Sequence, residues 1–164
     1  MVHCLNEFHI DIACDGNHEF DYDISHTEEL AANCNFPWLL GNLIDKNTED
    51  PLGAAKDEVI LEKNGIRIGL FGVAEEEWLS ILTEDYQGQL DYIDFVKYSE
   101  YKAHELRHTK KCDLVIALTH MRSPNDKILC EKVPEIDFVL DGHDHIICTD
   151  KVNGVQILKS GENF

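Results

Sequence analysis

Short apolar segments that alternate with helical segments constrain the fold of this chain more than any other feature of its sequence. Residues 10–14, 113–118 and 136–140 are short and mainly apolar, and they are predicted to be buried strands. Polar and helical segments separate them along the chain. This alternation is typical of α/β proteins, in which helices cover the faces of a sheet.

Turn and helix signals extend this prediction. Two Asn-Gly pairs, at 64–65 and 153–154, stand between apolar segments and predict tight hairpin turns. Helices are predicted at 1–8, 25–34, 94–108 and 125–132, and a further strand at 37–43. In the second of these helices, Ser25 is expected to be the N-cap and Glu28 its capping-box partner. The predicted fold class is α/β, with mixed β-sheet layers flanked by helices and a partly antiparallel side.

The composition fits one globular domain with an acidic surface. The chain has 164 residues, of which 43% are hydrophobic and 28% are charged, so it can bury a core and is not disordered. The formal net charge of −18 would repel a nucleic acid polymer. An anionic substrate would therefore need a local positive charge, and a bound cation is the obvious source.

Signals for targeting and for disulfide or thiol chemistry are weak. No segment is apolar over the length of a membrane span, and the first residues lack the pattern of a signal peptide. The six cysteines include no C-x-x-C pair, which argues against a zinc ribbon or a thioredoxin-like site. They are predicted to be buried small hydrophobic residues in a reducing, cytoplasmic compartment.

Each of the three predicted strands ends in polar residues that could bind a metal. Asn17 and His18 follow the first strand, and His120 follows the second. His143 and His145 follow the third. Ligand sites in open α/β sheets form outside the carboxyl ends of the strands. We therefore expect these five side chains to gather in one cleft, within a radius on the order of 10 Å.

The types of these residues suit a metal centre. Imidazole binds zinc, iron or manganese, whereas amide and carboxylate oxygens suit harder ions. His143 and His145 are separated by one residue and could reach two neighbouring ions, which in two-metal sites lie ~3.5–4 Å apart. Asp21 could accept a hydrogen bond from the His18 ring and fix its tautomer. Alone, Asp21 would also suit the start of a helix.

Three motifs occur in order along the chain: Gly-Asn-His-Glu-Phe-Asp at 16–21, Thr-His at 119–120 and Gly-His-Asp-His at 142–145. Together they resemble the motifs of the calcineurin-like metallophosphoesterases. The first motif, and Lys-Ser-Gly at 159–161, are similar to the 5′-nucleotidase branch. The resemblance implies part of an α/β/β/α sandwich and a phosphoric monoester hydrolase, in which water attacks phosphorus at a two-metal site.

The resemblance also implies roles for individual residues. The expected metal ligands are Asn17, His120 and His143 for one ion and His145 for the other. His18 would protonate the leaving oxygen or stabilise the transferring phosphoryl group, and Asp21 would orient His18. The implied cofactors are two divalent ions, zinc, manganese or iron. The implied substrate is a phosphorylated small molecule, with nucleotides among the candidates.

The sequence departs from the family pattern at its start. The family has an Asp-x-His motif and then a Gly-Asp motif whose aspartate bridges the metals, but this sequence has no Gly-Asp pair. Its single Asp-x-His, at 141–143, already belongs to the third motif. We therefore expect one domain, 1–164, without the N-terminal strands and metal motifs and without the C-terminal nucleotidase domain. The alternative is a non-catalytic truncated or pseudo-enzyme product that binds at most one metal, or a partner.

Other polar residues are assigned to ordinary structural roles. Glu75, Glu76 and Glu77 are expected in a solvated loop or a first helical turn, and Asp15 is expected to be solvated. Arg122 would either meet a phosphate in the cleft or form a surface ion pair. The remaining histidines are predicted to be surface or packing residues: His3, His9, His26, His104 and His108.

Overall fold

A six-stranded mixed sheet forms the centre of the chain in a computed structural model that describes residues 1–82, 86 and 88–161. The strands are β1 (Ala13–Cys14), β2 (Trp38–Leu39), β3 (Leu43–Asp45), β4 (Glu58–Lys63), β5 (Ile66–Ala74), β6 (Leu90–Tyr92), β7 (Leu114–His120), β8 (Phe138–Asp141), β9 (Ile147–Val152) and β10 (Val155–Ser160). The helices are α1 (Val2–Glu7), α2 (Ile24–Asn33), α3 (Trp78–Ile81), α4 (Phe95–His104) and α5 (Ser123–Lys132). Other helical segments are the 3₁₀ turns Asn17–Phe20 and Leu52–Ala54 and the π-helical turn Glu105–Thr109. Within the described ranges, no helix is long and apolar enough to cross a membrane.

Parallel strands make the middle of the sheet. Its order is β4-β5-β7-β8-β10-β9, with β4 and β9 as antiparallel edge strands. Ala74 pairs with His120, and Thr119 pairs with Asp141, so the carboxyl ends of β5, β7 and β8 are aligned. Residues that follow these three strands therefore emerge side by side. The predicted α/β class with an antiparallel part is confirmed.

The two faces of the sheet are covered unequally. On one face, Val115 and Ala117 of β7 are fully buried in the cluster that α4 and α5 complete. On the other face, Ile116 and Leu118 are only half-buried. The small β1–β2 sheet reaches the end of this second face, where Cys14 Sγ lies 3.5 Å from the Leu118 carbonyl oxygen. Strand β7 is thus less buried than its continuous apolar sequence predicts.

A second apolar cluster joins the 3₁₀ turn Asn17–Phe20 to the chain that follows β5. Trp78 is buried, and its ring centroid lies 6.5 Å from that of Phe20. Leu40 and Leu52 complete the same cluster. This packing fixes the position of the turn that carries Asn17.

Both Asn-Gly turns are confirmed. Asn64 and Gly65 have φ values of 54° and 80°, and Asn153 and Gly154 have φ values of 50° and 92°. Positive φ at both central residues is typical of the type I′ turn, whose twist matches that of the flanking strands. These turns connect β4 to β5 and β9 to β10.

The predicted strand at 37–43 is divided, because Asn42 replaces strand pairing with side-chain hydrogen bonds. The fully buried Asn42 amide donates to the carbonyls of Ala74 and Ile93 at 2.8 and 3.0 Å. It also accepts from the Ala74 N–H at 2.8 Å. These bonds satisfy backbone groups at the end of β5 that a neighbouring strand would otherwise satisfy.

The helix predicted at 25–34 is present as α2, but Ser25 is not its N-cap. The Asp23 carboxylate accepts the His26 N–H at 2.5 Å and the Ser25 hydroxyl at 2.8 Å, so the helix begins at Ile24. A charged acceptor forms the stronger hydrogen bond to the first helical turn. The Ser25 prediction is therefore wrong by two residues, although the helix itself is confirmed.

Candidate active site

Three side chains from three strand ends meet at the aligned carboxyl edge of the sheet. Asn17 Oδ1 lies 2.9 Å from Nε2 of His120, the last residue of β7. The His143 ring, on the loop after β8, lies 4.8 Å from the His120 ring between centroids, at an angle of 68°. The structure therefore brings together an amide oxygen and two imidazoles from distant parts of the chain. We refer to Asn17, His120 and His143 as the strand-end group.

Gly16 permits this close approach. A Cβ atom at Gly16 would lie 2.9 Å from His120 Cε1 and 2.8 Å from Glu19 Oε2, which is too short for carbon. The Gly16 N–H instead donates to the Glu19 carboxylate, which closes the first turn of Asn17–Phe20. The glycine thus gives the backbone room beside the His120 ring.

Burial keeps His120 in the neutral form. Burial, followed by the charge of His143, lowers the pKa of His120 to about 4, and Asp141 opposes this lowering. The Trp78 ring packs edge-on against the imidazole with centroids 5.6 Å apart, and its indole N–H donates to the His120 carbonyl at 3.2 Å. A neutral imidazole has a free lone pair, so His120 can serve as a metal ligand at neutral pH.

His18 and His145 are exposed rather than packed into this group. His18 Nδ1 lies 3.0 Å from Asp21 Oδ2, which is the geometry expected of an oriented imidazole. His145 follows β8 with a φ of 52°. The charges of both histidines also lower the pKa of His120, so they lie within electrostatic reach of it.

Glu75 is a buried carboxylate that sequence reasoning missed. It follows β5 directly, is 2% exposed, and places Oε1 3.9 Å from His143 Nε2. The expectation of a solvated loop is correct for the exposed Glu76 and Glu77 but wrong for Glu75. The available signal was its position after an apolar strand that ends at the same edge of the sheet.

Glu75 is held by two residues of the segment after β7. The Arg122 N–H donates to Oε2 at 3.2 Å, and the Arg122 side chain donates to Oε1 at 3.1 Å. The Asn125 amide also donates to Oε2, and Arg122 forms a second ion pair with Glu77. Of the two interpretations of Arg122, the structure therefore shows the ion pair.

Asp15 is buried rather than solvated, which corrects the prediction. It is 1% exposed, and its Oδ2 has no hydrogen-bond partner among the described residues. Burial, and then the nearby charge of Glu19, raise the pKa of Asp15 well above its ordinary value. A raised pKa favours the protonated carboxyl, which is the less costly form in such a position.

Lys159 lies in the centre of a buried group of carboxylates beneath the two histidine loops. Its Nζ is 2.9 Å from Asp126 Oδ2 and 3.2 Å from Asp144 Oδ2, and it also pairs with Asp141. The ammonium donates to the Met121 carbonyl at 3.1 Å as well. We refer to Lys159, Asp126, Asp141 and Asp144 as the Lys159 cluster.

The Lys159 cluster connects the loops that carry His120 and His143. Asp141 Oδ1 accepts the Met121 N–H at 3.0 Å, and Asp144 accepts the Ser123 N–H at 2.7 Å. Since three carboxylates surround one ammonium, burial and the charge of Asp141 raise the pKa of Asp126 to about 7. The sequence pointed to Lys159 only as part of a motif, without this role.

The donor set suits a divalent metal ion. Asn17, His120 and His143 supply one oxygen and two nitrogens, a mixture that zinc, iron and manganese accept. Glu75 Oε1 lies 3.9 Å from His143 Nε2, and carboxylates commonly lie beside metal-binding histidines. The residues present therefore fit such an ion on their chemistry.

Comparison with known proteins identifies the family of the chain. The sequence matches the family model of calcineurin-like phosphoesterases over residues 2–146. The uncharacterized metallophosphoesterase YunD of Bacillus subtilis is 33% identical over 171 residues, covering 99% of this chain and 34% of YunD. A 5′-nucleotidase of Vibrio cholerae is 32% identical over 140 residues, covering 78% of this chain and 25% of that protein. The chain thus spans about a third or less of the length of these relatives.

Solved structures share the fold. The calcineurin-like phosphoesterase YfkN from Bacillus subtilis has a TM-score of 0.85 at 20% identity, over 98% of this chain and 57% of that chain. A 5′-nucleotidase precursor from Thermus thermophilus has a TM-score of 0.83 at 16% identity, over 98% of this chain and 35% of that chain. On the family match and the YunD likeness, the chain belongs to the calcineurin-like phosphoesterase family.

Proposed function

We propose that these residues form the catalytic centre of a metal-dependent phosphomonoesterase related to 5′-nucleotidases. The observation that supports the proposal is the convergence of Asn17, His120 and His143 at one edge of the sheet. Two relatives, a 5′-nucleotidase and a 2′,3′-cyclic-nucleotide 2′-phosphodiesterase/3′-nucleotidase, act on nucleotides by name. We therefore propose a phosphorylated small molecule as the substrate, with a nucleotide as the first candidate.

In this proposal, Asn17, His120 and His143 hold one divalent ion, and His145 contributes to a second. When bound, such ions neutralise developing charge on phosphoryl oxygens and lower the pKa of water. His120 contributes by remaining unprotonated, because its buried position lowers its pKa to about 4. The Lys159 cluster contributes by holding the loops after β7 and β8 in a fixed relation.

His18 is proposed as the acid that donates a proton to the leaving oxygen. Asp21 accepts from its Nδ1, which leaves Nε2 directed away from the carboxylate and available to the substrate. The carboxylate also stabilises the protonated ring. The exposure of His18 fits a residue that must reach a substrate from solvent.

A non-catalytic product is the second candidate, and the charge of the ligand group favours it. Asn17, His120 and His143 supply no negative charge, and the nearby carboxylate of Glu75 is already bound by Arg122 and Asn125. Two adjacent cations repel each other, and a bridging carboxylate normally offsets that repulsion. We therefore predict that the 164-residue chain alone hydrolyses an aryl phosphate slowly or not at all, even with added manganese or zinc.

The test measures phosphate release by the chain and by a fusion that supplies what the sequence lacks. The fusion inserts this chain into the Vibrio cholerae 5′-nucleotidase in place of the segment that it matches there. The proposal predicts metal-dependent release of phosphate by the fusion, lost on His18→Ala. A folded, metal-loaded fusion without turnover would support the non-catalytic candidate. Robust turnover by the chain alone would make Glu75 the first candidate for the bridging carboxylate.

A further inference from the structure

We infer that His104, His108 and Glu135 form a second metal site, separate from the strand-end group, that takes one zinc-like divalent ion. One ligand atom from each of these residues lies within 4.8 Å of the other two. His104 ends α4, His108 lies in the π-helical turn that follows, and Glu135 lies in the loop before β8. None of the three belongs to the motifs that carry the proposed activity.

The distances are close to those of a tetrahedral zinc site. His108 Nε2 lies 2.8 Å from Glu135 Oε1, and His104 Nδ1 lies 3.4 Å from the same oxygen. The two imidazole rings have centroids 4.4 Å apart. Bonds of ~2.0–2.1 Å in a tetrahedron place neighbouring ligand atoms ~3.3 Å apart. Small rotations of these side chains would therefore admit an ion.

The backbone on both sides of the site is fixed by buried neighbours. Leu106 lies between the histidines in sequence and is fully buried, and Ile136, next to Glu135, is 2% exposed. Arg107 also donates to the Glu135 carbonyl at 2.9 Å and to Asp137 Oδ2 at 2.5 Å. The loop with the carboxylate is therefore attached to the helix end with the imidazoles, independently of any ion.

The chemistry of the group selects the kind of ion. Two imidazoles and one carboxylate suit zinc, nickel or copper better than magnesium or calcium, which prefer oxygen ligands. The side chains of His104 and His108 are 67% and 52% exposed, so an ion can enter and a water can fill a fourth position. The acidic surface of the chain, with a net charge of −18, attracts cations. A bound ion would cross-link the end of α4 to the loop before β8.

A zinc titration of the 164-residue chain, followed by nuclear magnetic resonance of the histidine side chains, tests this inference. We expect the His104 and His108 ring signals to shift together along one saturating binding curve. His108→Ala should weaken zinc binding at His104 on the order of 100-fold, since it removes a ligand outright rather than an outer partner. Glu135→Gln should weaken it at least tenfold, on the same grounds.

His3→Ala is the matched control, because His3 is also exposed and lies on another helix, α1. It should leave the His104 and His108 shifts unchanged. Circular dichroism of each variant confirms that the fold is retained. His104 and His108 signals that do not move while His120 and His143 respond to zinc would overturn the inference without touching the proposed function. Equal zinc affinity in wild type and His108→Ala would also overturn it.

Discussion

The two histidine groups of this chain differ in what supports them. Asn17, His120 and His143 lie at strand ends, where burial sets the charge state of His120 and the Lys159 cluster holds the loops. His104 and His108 lie at an exposed helix end, which Arg107 joins to the loop of Glu135 by a hydrogen bond. The strand-end group depends on buried charges, whereas the helix-end group of His104, His108 and Glu135 is largely exposed. Changes to buried charge should therefore affect the first and spare the second.

Lys159→Met should have the largest effect. It leaves Asp126, Asp141 and Asp144 without their ammonium, and removing one member of a buried ion pair costs about 3–5 kcal/mol. Urea unfolding measures the loss. The matched control is Lys127→Met, because Lys127 is half exposed and its partner among the described residues is Asp150, at the surface. The control should change the free energy of unfolding by less than about 1 kcal/mol.

Lys159→Met should affect metal binding at the two histidine groups differently. Folded Lys159→Met should bind metal at the strand-end group about 10–100-fold more weakly, the usual effect of losing an outer partner of metal ligands. Zinc binding at His104 and His108 should be unchanged. Equal losses at both groups would mean that the Lys159 cluster stabilises the whole fold and does not act on the strand-end loops.

His18→Ala should lower phosphatase turnover by ~10²–10⁴-fold in the fusion, which is the usual contribution of a positioned acid–base group. Metal content should stay nearly constant, because His18 is not among the proposed ligands. His143→Ala should instead lower metal content. Steady-state kinetics and metal analysis of both variants measure this division of roles, and equal metal loss in the two would contradict it.

A smaller effect should appear in the pH dependence of stability. The pKa of Asp126 is raised to about 7, above that of an unfolded aspartate, so the folded state holds an extra proton between about pH 4 and 7. Stability from this proton is full below that window and is lost as the pH rises through it. Relative to Asp126→Asn, the wild type should lose about 2 kcal/mol between pH 5 and 7.5.

Urea unfolding in a chelator, at several pH values, measures this difference without interference from bound metal. Asp91→Asn is the control, because Asp91 is exposed and, within the described part of the chain, pairs with Lys46 alone. A wild type and an Asp126→Asn variant with parallel pH profiles would show that Asp126 is ionised in the folded chain.

Local sequence patterns were sufficient to predict the positions of residues that directly end or follow a strand. Asn17, His120 and His143 could be placed because each follows an apolar strand. The burial of Glu75 and the role of Lys159 could not, because they require β5 to pair with β7 and β8 to pair with β10. Those pairings are decided by long-range packing. The division of the predicted strand at 37–43 also depends on a distant contact, because Asn42 forms its hydrogen bonds with Ala74 at the end of β5.

The most direct test of the strand-end centre is manganese binding, measured by electron paramagnetic resonance in a chain that carries His104→Ala and His108→Ala. These substitutions remove the second site from the count. We predict at least one bound ion per chain, lost on either His120→Ala or His143→Ala and retained on His3→Ala. Manganese bound with unchanged affinity in both His120→Ala and His143→Ala would contradict this prediction.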